Sequence, residues 1–235
     1  MEVIPHGVDR SIFRVLDPST RKQYRALFGA SEEDFIILNV GAMTANKGID
    51  VLLDAFFILF KKYQNIKLVL KDQSNLYGIR ARDLVFERSS KKHPLLSAAE
   101  VQQAISKICF VTDNLSLTQL NGLYNAADCY ASPYRAEGFN LTPLEAAAAG
   151  TPIVITKGGS TDDYFDPSFA VQIEANKVNL NNQHYLEPNY ESLLEGIESI
   201  LTKKKDFNKL KGVEFLEKNF SWDVVCGKLY TTLMG

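Results

Sequence analysis

Sulfur, imidazole and indole side chains are scarce in this sequence: three cysteines, three methionines, three histidines and one tryptophan occur in 235 residues. Cys109, Cys129 and Cys226 stand far apart in apolar or helical surroundings, so they supply neither a disulfide framework nor metal-ligand spacing. Buried, reduced thiols are expected, which favours the cytoplasm. His6, His93 and His184 are equally dispersed, without a second ligand at helix or hairpin spacing, so neither a metal site nor a catalytic histidine is expected from them. No apolar run reaches the ~18 residues of a membrane helix, and the first residues lack the basic and apolar regions of a signal peptide. The longest candidate, Val51 to Phe60, carries Asp54 and reads as a buried helix.

Neither sign of charge dominates. The formal net charge is -2 and the pI near 6.0, which gives no reason to expect a nucleic-acid partner. The local cluster Lys203-Lys204-Lys205, with Lys209 and Lys211 beyond it, reads as a solvated helix end, with at most peripheral contact with an anionic membrane surface. No internal repeat or low-complexity segment is present.

What is present is an ordinary globular composition, 46% apolar and 23% charged, with a regular alternation of apolar runs and helical patterns. Strands are expected at Phe35 to Val40, Lys67 to Lys71, Ile108 to Val111, Cys129 to Ala131, Ile153 to Ile155 and Ala170 to Ile173. Helices are expected near 48–62, 75–90, 97–105, 116–126 and 141–149, then near 190–203, 206–218 and 222–233. Residues 1–18, with Pro5, Gly7 and Pro18, read as an extended connector with one short strand, and polar 176–189 as a loop. The expected fold is α/β: a doubly wound, mostly parallel sheet over 19–235 with C-terminal helices. Ligands of such sheets bind beyond the carboxyl ends of the strands.

One stretch at such an end stands out: Glu137-Gly138-Phe139-Asn140-Leu141-Thr142-Pro143-Leu144-Glu145, followed by Gly150-Thr151-Pro152. The turn after Cys129-Tyr130-Ala131 leads through Gly138 to a helix entered at Pro143, where a missing N–H costs nothing. The free amides and dipole of a helix start favour an anion, and Gly138 permits close approach. The same residues admit a plainer account. Thr142 and Glu145 fit a capping box, and Glu137 fits a solvated carboxylate in a turn.

Glu137 and Glu145, with Gly138-Phe139, Pro143-Leu144 and Gly150-Thr151-Pro152-Ile153-Val154, resemble the Glu-x7-Glu motif of retaining glycosyltransferases of family 4. Val3-Ile4-Pro5-His6-Gly7-Val8-Asp9, Asn39-Val40-Gly41 with Asn46-Lys47-Gly48, and Phe220-Ser221-Trp222-Asp223 resemble the same family in the same order. The resemblance implies the Rossmann-like, donor-binding half of a two-domain GT-B enzyme, joined through residues 1–18 to an N-terminal acceptor domain absent from this chain. It implies catalytic roles for Glu137 and Lys47. The donor diphosphate and sugar would be held by Lys47, Gly138 and the amides of Phe139, Asn140 and Leu141, and the ribose by Glu145. Thr112 and Asn114 occupy the nucleobase loop.

Three positions depart from the family pattern. Ala42 stands where an arginine usually meets the diphosphate, and Lys71, at the end of the second expected strand, is a candidate replacement balanced against an ordinary strand-edge lysine. Thr112 replaces a glycine. Asp162 or Asp163 replaces a glutamate, although a turn and helix cap is the simpler role.

The expected partners are a nucleotide-sugar, with UDP-glucose first and GDP- and ADP-sugars next, and an acceptor glycan or lipid-linked glycan in polysaccharide synthesis. Expected locations are the cytoplasm or the inner face of the membrane. No cofactor and no metal are expected, and no Asp-x-Asp occurs. The alternative is a non-catalytic domain that binds or senses a nucleotide-sugar, supported by Ala42. A dinucleotide oxidoreductase is disfavoured because no Gly-x-Gly-x-x-Gly follows the first strand.

Overall fold

The computed structural model describes residues 3–180, 183–203, 207 and 209–234. Six parallel strands, β1 (Phe35–Val40), β2 (Ile66–Lys71), β3 (Ile108–Val111), β4 (Cys129–Ser132), β5 (Ile153–Thr156) and β6 (Ala170–Ile173), form a sheet in the order β3-β2-β1-β4-β5-β6. Every strand expected from the sequence forms, within a residue of its expected bounds. Apolar residues such as Ile37, Leu38, Leu68 and Val69 are fully buried because helices cover both faces.

On one face lie α2 (Ile49–Lys62), α4 (Ala81–Ser90), α5 (Ala98–Ile105) and α8 (Tyr190–Leu201). α2 is apolar nearly all round and is buried between the sheet and its neighbours. Its one inner acid, Asp54, accepts a bidentate pair from Arg88 of α4 at 2.6 and 2.7 Å. On the other face lie α1 (Pro18–Leu27), α6 (Leu117–Ala126), α7 (Leu141–Ala148) and α9 (Lys209–Phe220), with α10 (Trp222–Met234) beyond. Short α3 (Ser74–Tyr77) ends at Gly78, so expected helix 75–90 is two helices.

Three expectations are corrected. α1 lies where no helix was expected: Asp17 Oδ1 caps the amides of Ser19 and Thr20, both at 3.0 Å, and Pro18 takes the first turn. Segment 176–189 is not an open loop. β7 (Ala175–Leu180) and β8 (Gln183–Pro188) form an antiparallel hairpin, in which Leu186 is buried. Cys226 is exposed, unlike buried Cys129. The connector runs extended to Val8, which pairs with Ser221 and whose amide donates to Phe220 O at 2.7 Å, and then turns at Asp9. Of the lysine cluster, Lys204 and Lys205 lie outside the described residues, as do residues 206 and 208 of expected helix 206–218. No helix of the described residues is long and apolar enough to cross a membrane.

The chain leaves β1 towards one face and reaches β4, its other neighbour, only after visiting β2 and β3. The crevice between β1 and β4 is therefore the point where strand order reverses. These two strands pair only through Ile37 with Cys129 and Leu38 with Tyr130. Above that, side chains take over: Asn39 Nδ2 donates to Ala131 O at 2.8 Å, and the Tyr130 hydroxyl reaches Val40 O at 3.1 Å.

Candidate active site

Two loops meet over this crevice. The first follows β1, runs through a 3-10 turn (Ala45–Lys47) and enters α2 at Gly48. Gly48 has φ +65, and a Cβ there would lie 1.8 Å from Pro133 O, so only glycine lets the loops pack this closely. The second loop runs from Pro133 to Asn140. Lys47 Nζ and Glu137 Oε1 form an ion pair between them, with side chains 19% and 14% exposed. His6, Lys47, Glu137, Phe139, Asn140, Leu141 and Thr142 line a cleft of about 270 Å³. Gly138 is exposed, with open space around it.

α7 begins at Leu141 rather than Pro143. Its N-cap, Asn140, adopts a left-handed conformation (φ 63) that costs a non-glycine residue energy and must be held from outside. Ser132 Oγ accepts from Asn140 Nδ2 at 3.0 Å, and the buried Tyr164 hydroxyl donates to Asn140 O at 2.8 Å. No side chain of the N-cap residue bonds the first-turn amides, which remain available at the cleft.

The capping box does not form. Thr142 Oγ1 instead meets the Tyr130 hydroxyl at 2.7 Å, and Glu145 Oε2 accepts from the Tyr124 hydroxyl at 2.7 Å. Tertiary partners thus claim both side chains. Burial pushes the Glu145 carboxyl up to about 7, opposed by the Tyr124 bond. Burial, reinforced by Glu145, pushes the Tyr124 phenol up as well.

The structure brings together Lys47, Glu137, Phe139, Asn140 and Leu141, while Glu145 sits one helical turn deeper. Lys71 is not among the residues lining the cleft. It is 7% exposed, and its ammonium donates to the Asp72 carbonyl. Burial lowers its pKa, against the pull of Asp72 and Asp113. Thr112 and Asn114 are exposed on the β3–α6 loop, where Asn114 Oδ1 accepts from Asn75 Nδ2 at 3.3 Å. Asp162 caps its turn, accepting from Gly158 N at 3.0 Å and from Gln172 Nε2 at 2.6 Å. Among the described residues, no group of three or more His, Cys, Asp or Glu is arranged to hold a metal.

Sequence reasoning passed over His6, which lies on the cleft rim with its ring centroid 5.3 Å from that of Phe139 and 6.4 Å from that of Trp222. The signal was available: the segment holding His6 and the one holding Trp222 both matched the family pattern. Tyr124, Tyr130 and Arg135 were also missed, since nothing local marks a buried phenol or a clamping arginine.

Residues 20–212 match the protein family described as glycosyl transferases group 1. Among curated proteins, the chain is 29% identical over 179 residues to D-inositol 3-phosphate glycosyltransferase of Arthrobacter sp. (strain FB24), covering 76% of this chain and 39% of that protein. It is 28% identical over 159 residues to mannosylfructose-phosphate synthase of Agrobacterium fabrum, covering 68% and 33%. The chain thus spans well under half the length of these relatives. Among solved structures, HepE of Anabaena in complex with UDP and glucose aligns with a TM-score of 0.75 at 18% identity, over 100% of this chain and 56% of that one. The C-terminal domain of a group 1 glycosyl transferase from Francisella tularensis aligns with a TM-score of 0.67 at 19% identity, over 92% and 100%.

Proposed function

This chain belongs to the group 1 glycosyl transferases, and from that premise we propose that it is the nucleotide-sugar-binding domain of a retaining, family 4 enzyme that moves a hexose to an acceptor hydroxyl. The leading donor is UDP-glucose, and the acceptor is a glycan or lipid-linked glycan of polysaccharide synthesis at the inner face of the membrane. The observation that carries this reading is the meeting of Lys47 and Glu137 at the uncapped start of α7, over the crevice where strand order reverses.

Breaking a sugar–phosphate bond builds negative charge on the departing diphosphate. Groups that stabilise that charge more in the transition state than in the ground state lower the barrier. Lys47 supplies a cation, and the amides of Phe139, Asn140 and Leu141 supply donors at the positive end of a helix. Glu137, released from Lys47 as the diphosphate enters, accepts from hydroxyls of the transferred sugar. Glu145 accepts from the ribose, and Thr112 and Asn114 flank the base. Lys71 joins the diphosphate only by leaving the Asp72 carbonyl. The leaving phosphate takes the acceptor proton, with no metal or cofactor.

The acceptor is carried by a preceding domain, joined through residues 1–18. Exposed Leu229, Tyr230, Leu233 and Met234 on α10 suit contact with that domain. One observation favours a non-catalytic, donor-binding alternative: Ala42 brings no charge to the cleft and Lys71 is turned into its own strand end.

Calorimetric titration with UDP, GDP, ADP and NAD, then with the matching glucose donors, tests the proposal. UDP and UDP-glucose are expected to bind saturably, equally well with chelator or magnesium. NAD binding without UDP binding would refute it, and a strict magnesium requirement would refute the metal-free site. Donor binding without sugar transfer by the full-length protein would favour the alternative.

A further inference from the structure

Lys47 and Glu137 belong to loops that follow different strands, and the helix start alone does not fix their separation. Arg135 does. Its side chain is 16% exposed and all five of its N–H donors are used. Nη1 donates to Ala45 O at 2.9 Å and to Asp50 Oδ1 at 2.8 Å, and Nη2 to Asp50 Oδ2 at 2.9 Å and to Glu187 Oε1 at 2.7 Å. Nε donates to Glu187 Oε2 at 2.8 Å.

The backbone repeats the pattern. Arg135 N donates to Asn46 O at 2.6 Å, Asn46 Nδ2 donates to Ala136 O at 3.0 Å, and Leu186 N donates to Arg135 O at 2.8 Å. One residue thus binds the turn that ends at Lys47, the first turn of α2, its own loop two positions before Glu137, and the β7–β8 hairpin.

We infer that Arg135 is a positioning residue that sets Lys47 against Glu137 and makes the β7–β8 hairpin the outer brace of the site. The inference rests on the diphosphate role given to Lys47 above. Two bidentate carboxylate pairs on one guanidinium define a plane and leave the loops little freedom to slide. A lysine keeps the charge but has three donors and no fork, so it cannot hold Asp50, Glu187 and Ala45 O in this geometry. Glu187 comes from a hairpin that lies outside the main sheet, and among the described residues the hydrogen bonds that join the brace to the two loops are those of Arg135 and the Leu186 amide.

The test compares Arg135→Lys, Arg135→Met and Glu187→Gln with the unsubstituted chain, measuring UDP and uridine affinity by calorimetry and amide exchange by mass spectrometry. Arg135→Lys is expected to lose roughly tenfold in UDP affinity, the scale of a displaced supporting contact, with uridine unchanged. That loss is expected to vanish in a Lys47→Ala background, because Arg135 acts through Lys47. Exchange is expected to rise both in 43–48 and in 184–188, and Glu187→Gln gives the same pattern more weakly.

UDP affinity equal to the unsubstituted chain in all three variants, or a loss shared equally by uridine and additive with Lys47→Ala, would overturn the inference. If the unsubstituted chain binds no nucleoside diphosphate, the donor-site reading fails instead. The exchange data then decide the clamp: acceleration in both segments upholds it, and acceleration in one alone or in neither overturns it.

Discussion

Glu137 and Glu145 belong to one motif, on a loop and the helix it leads into, yet their surroundings are opposite. Glu137 faces a lysine across an open cleft. Glu145 is half-buried against the Tyr124 phenol, and burial raises its carboxyl to about 7. An acid paired with a lysine must be released from it before it can meet a ligand. An acid in an apolar recess has its charge disfavoured until a ligand brings hydroxyls to it. Burial therefore sets a pH response at Glu145, and that response can be measured.

The largest expected effect is on stability. The Glu145 carboxyl is raised from 4.5 to about 7, so the folded chain holds its proton more tightly than the unfolded one. Its contribution is then fully favourable below about 4.5 and is lost as pH rises through about 7. Glu145→Gln should remove this slope, gaining up to about 3 kcal/mol on the unsubstituted chain between pH 4.5 and 8 in urea unfolding. Parallel slopes would erase the contrast between the acids. Uridine binding, if Glu145 holds ribose as a carboxylate, should tighten with a midpoint near pH 7 in the unsubstituted chain and be weak and flat in Glu145→Gln.

Next comes Lys47→Ala, expected to cost UDP about 2 kcal/mol, roughly 30-fold in affinity, and uridine almost nothing. Equal losses for both ligands would move Lys47 out of the diphosphate site. The smallest effect belongs to Tyr124→Phe. Loss of the hydroxyl should destabilise the fold by about 1 kcal/mol and shift the pH midpoint of uridine binding upward, since the one bond that favours charged Glu145 is gone. An unmoved midpoint would mean that Tyr124 does not govern that carboxylate.

The parallel sheet was legible because strands buried on both faces leave unbroken apolar runs, and Phe35 to Val40 or Ile153 to Ile155 have no competing pattern. Helix α1 was also written in the sequence, as Asp17-Pro18 with Ser19 and Thr20, but its polar surface hid the helical period. The hairpin escaped because polar Asn176, Lys177, Asn179 and His184 break up its apolar residues and, among those whose burial is described, only Leu186 and Pro188 are buried. In the site, local rules marked the helix start after Gly138 and left Thr142 and Glu145 open between a cap and a ligand contact; the cap does not form. A capping box weighs only neighbours in sequence, whereas Tyr130 and Tyr124 arrive from β4 and α6. The clamp at Arg135 had no sequence signature, because its partners Asp50 and Glu187 lie far away in the chain.

The short pairing between β1 and β4 has a mechanical consequence. Elsewhere the sheet resists splaying through a continuous ladder of backbone bonds, as in the six paired positions of β1 and β2. Between β1 and β4 the ladder stops after two pairs, and the seam above it is stitched by the Asn39 amide and the Tyr130 hydroxyl. Here side chains stand in for the ladder, and the bonds of Arg135 close the seam above them, so the wall of the crevice is held by side chains where the rest of the sheet is held by backbone.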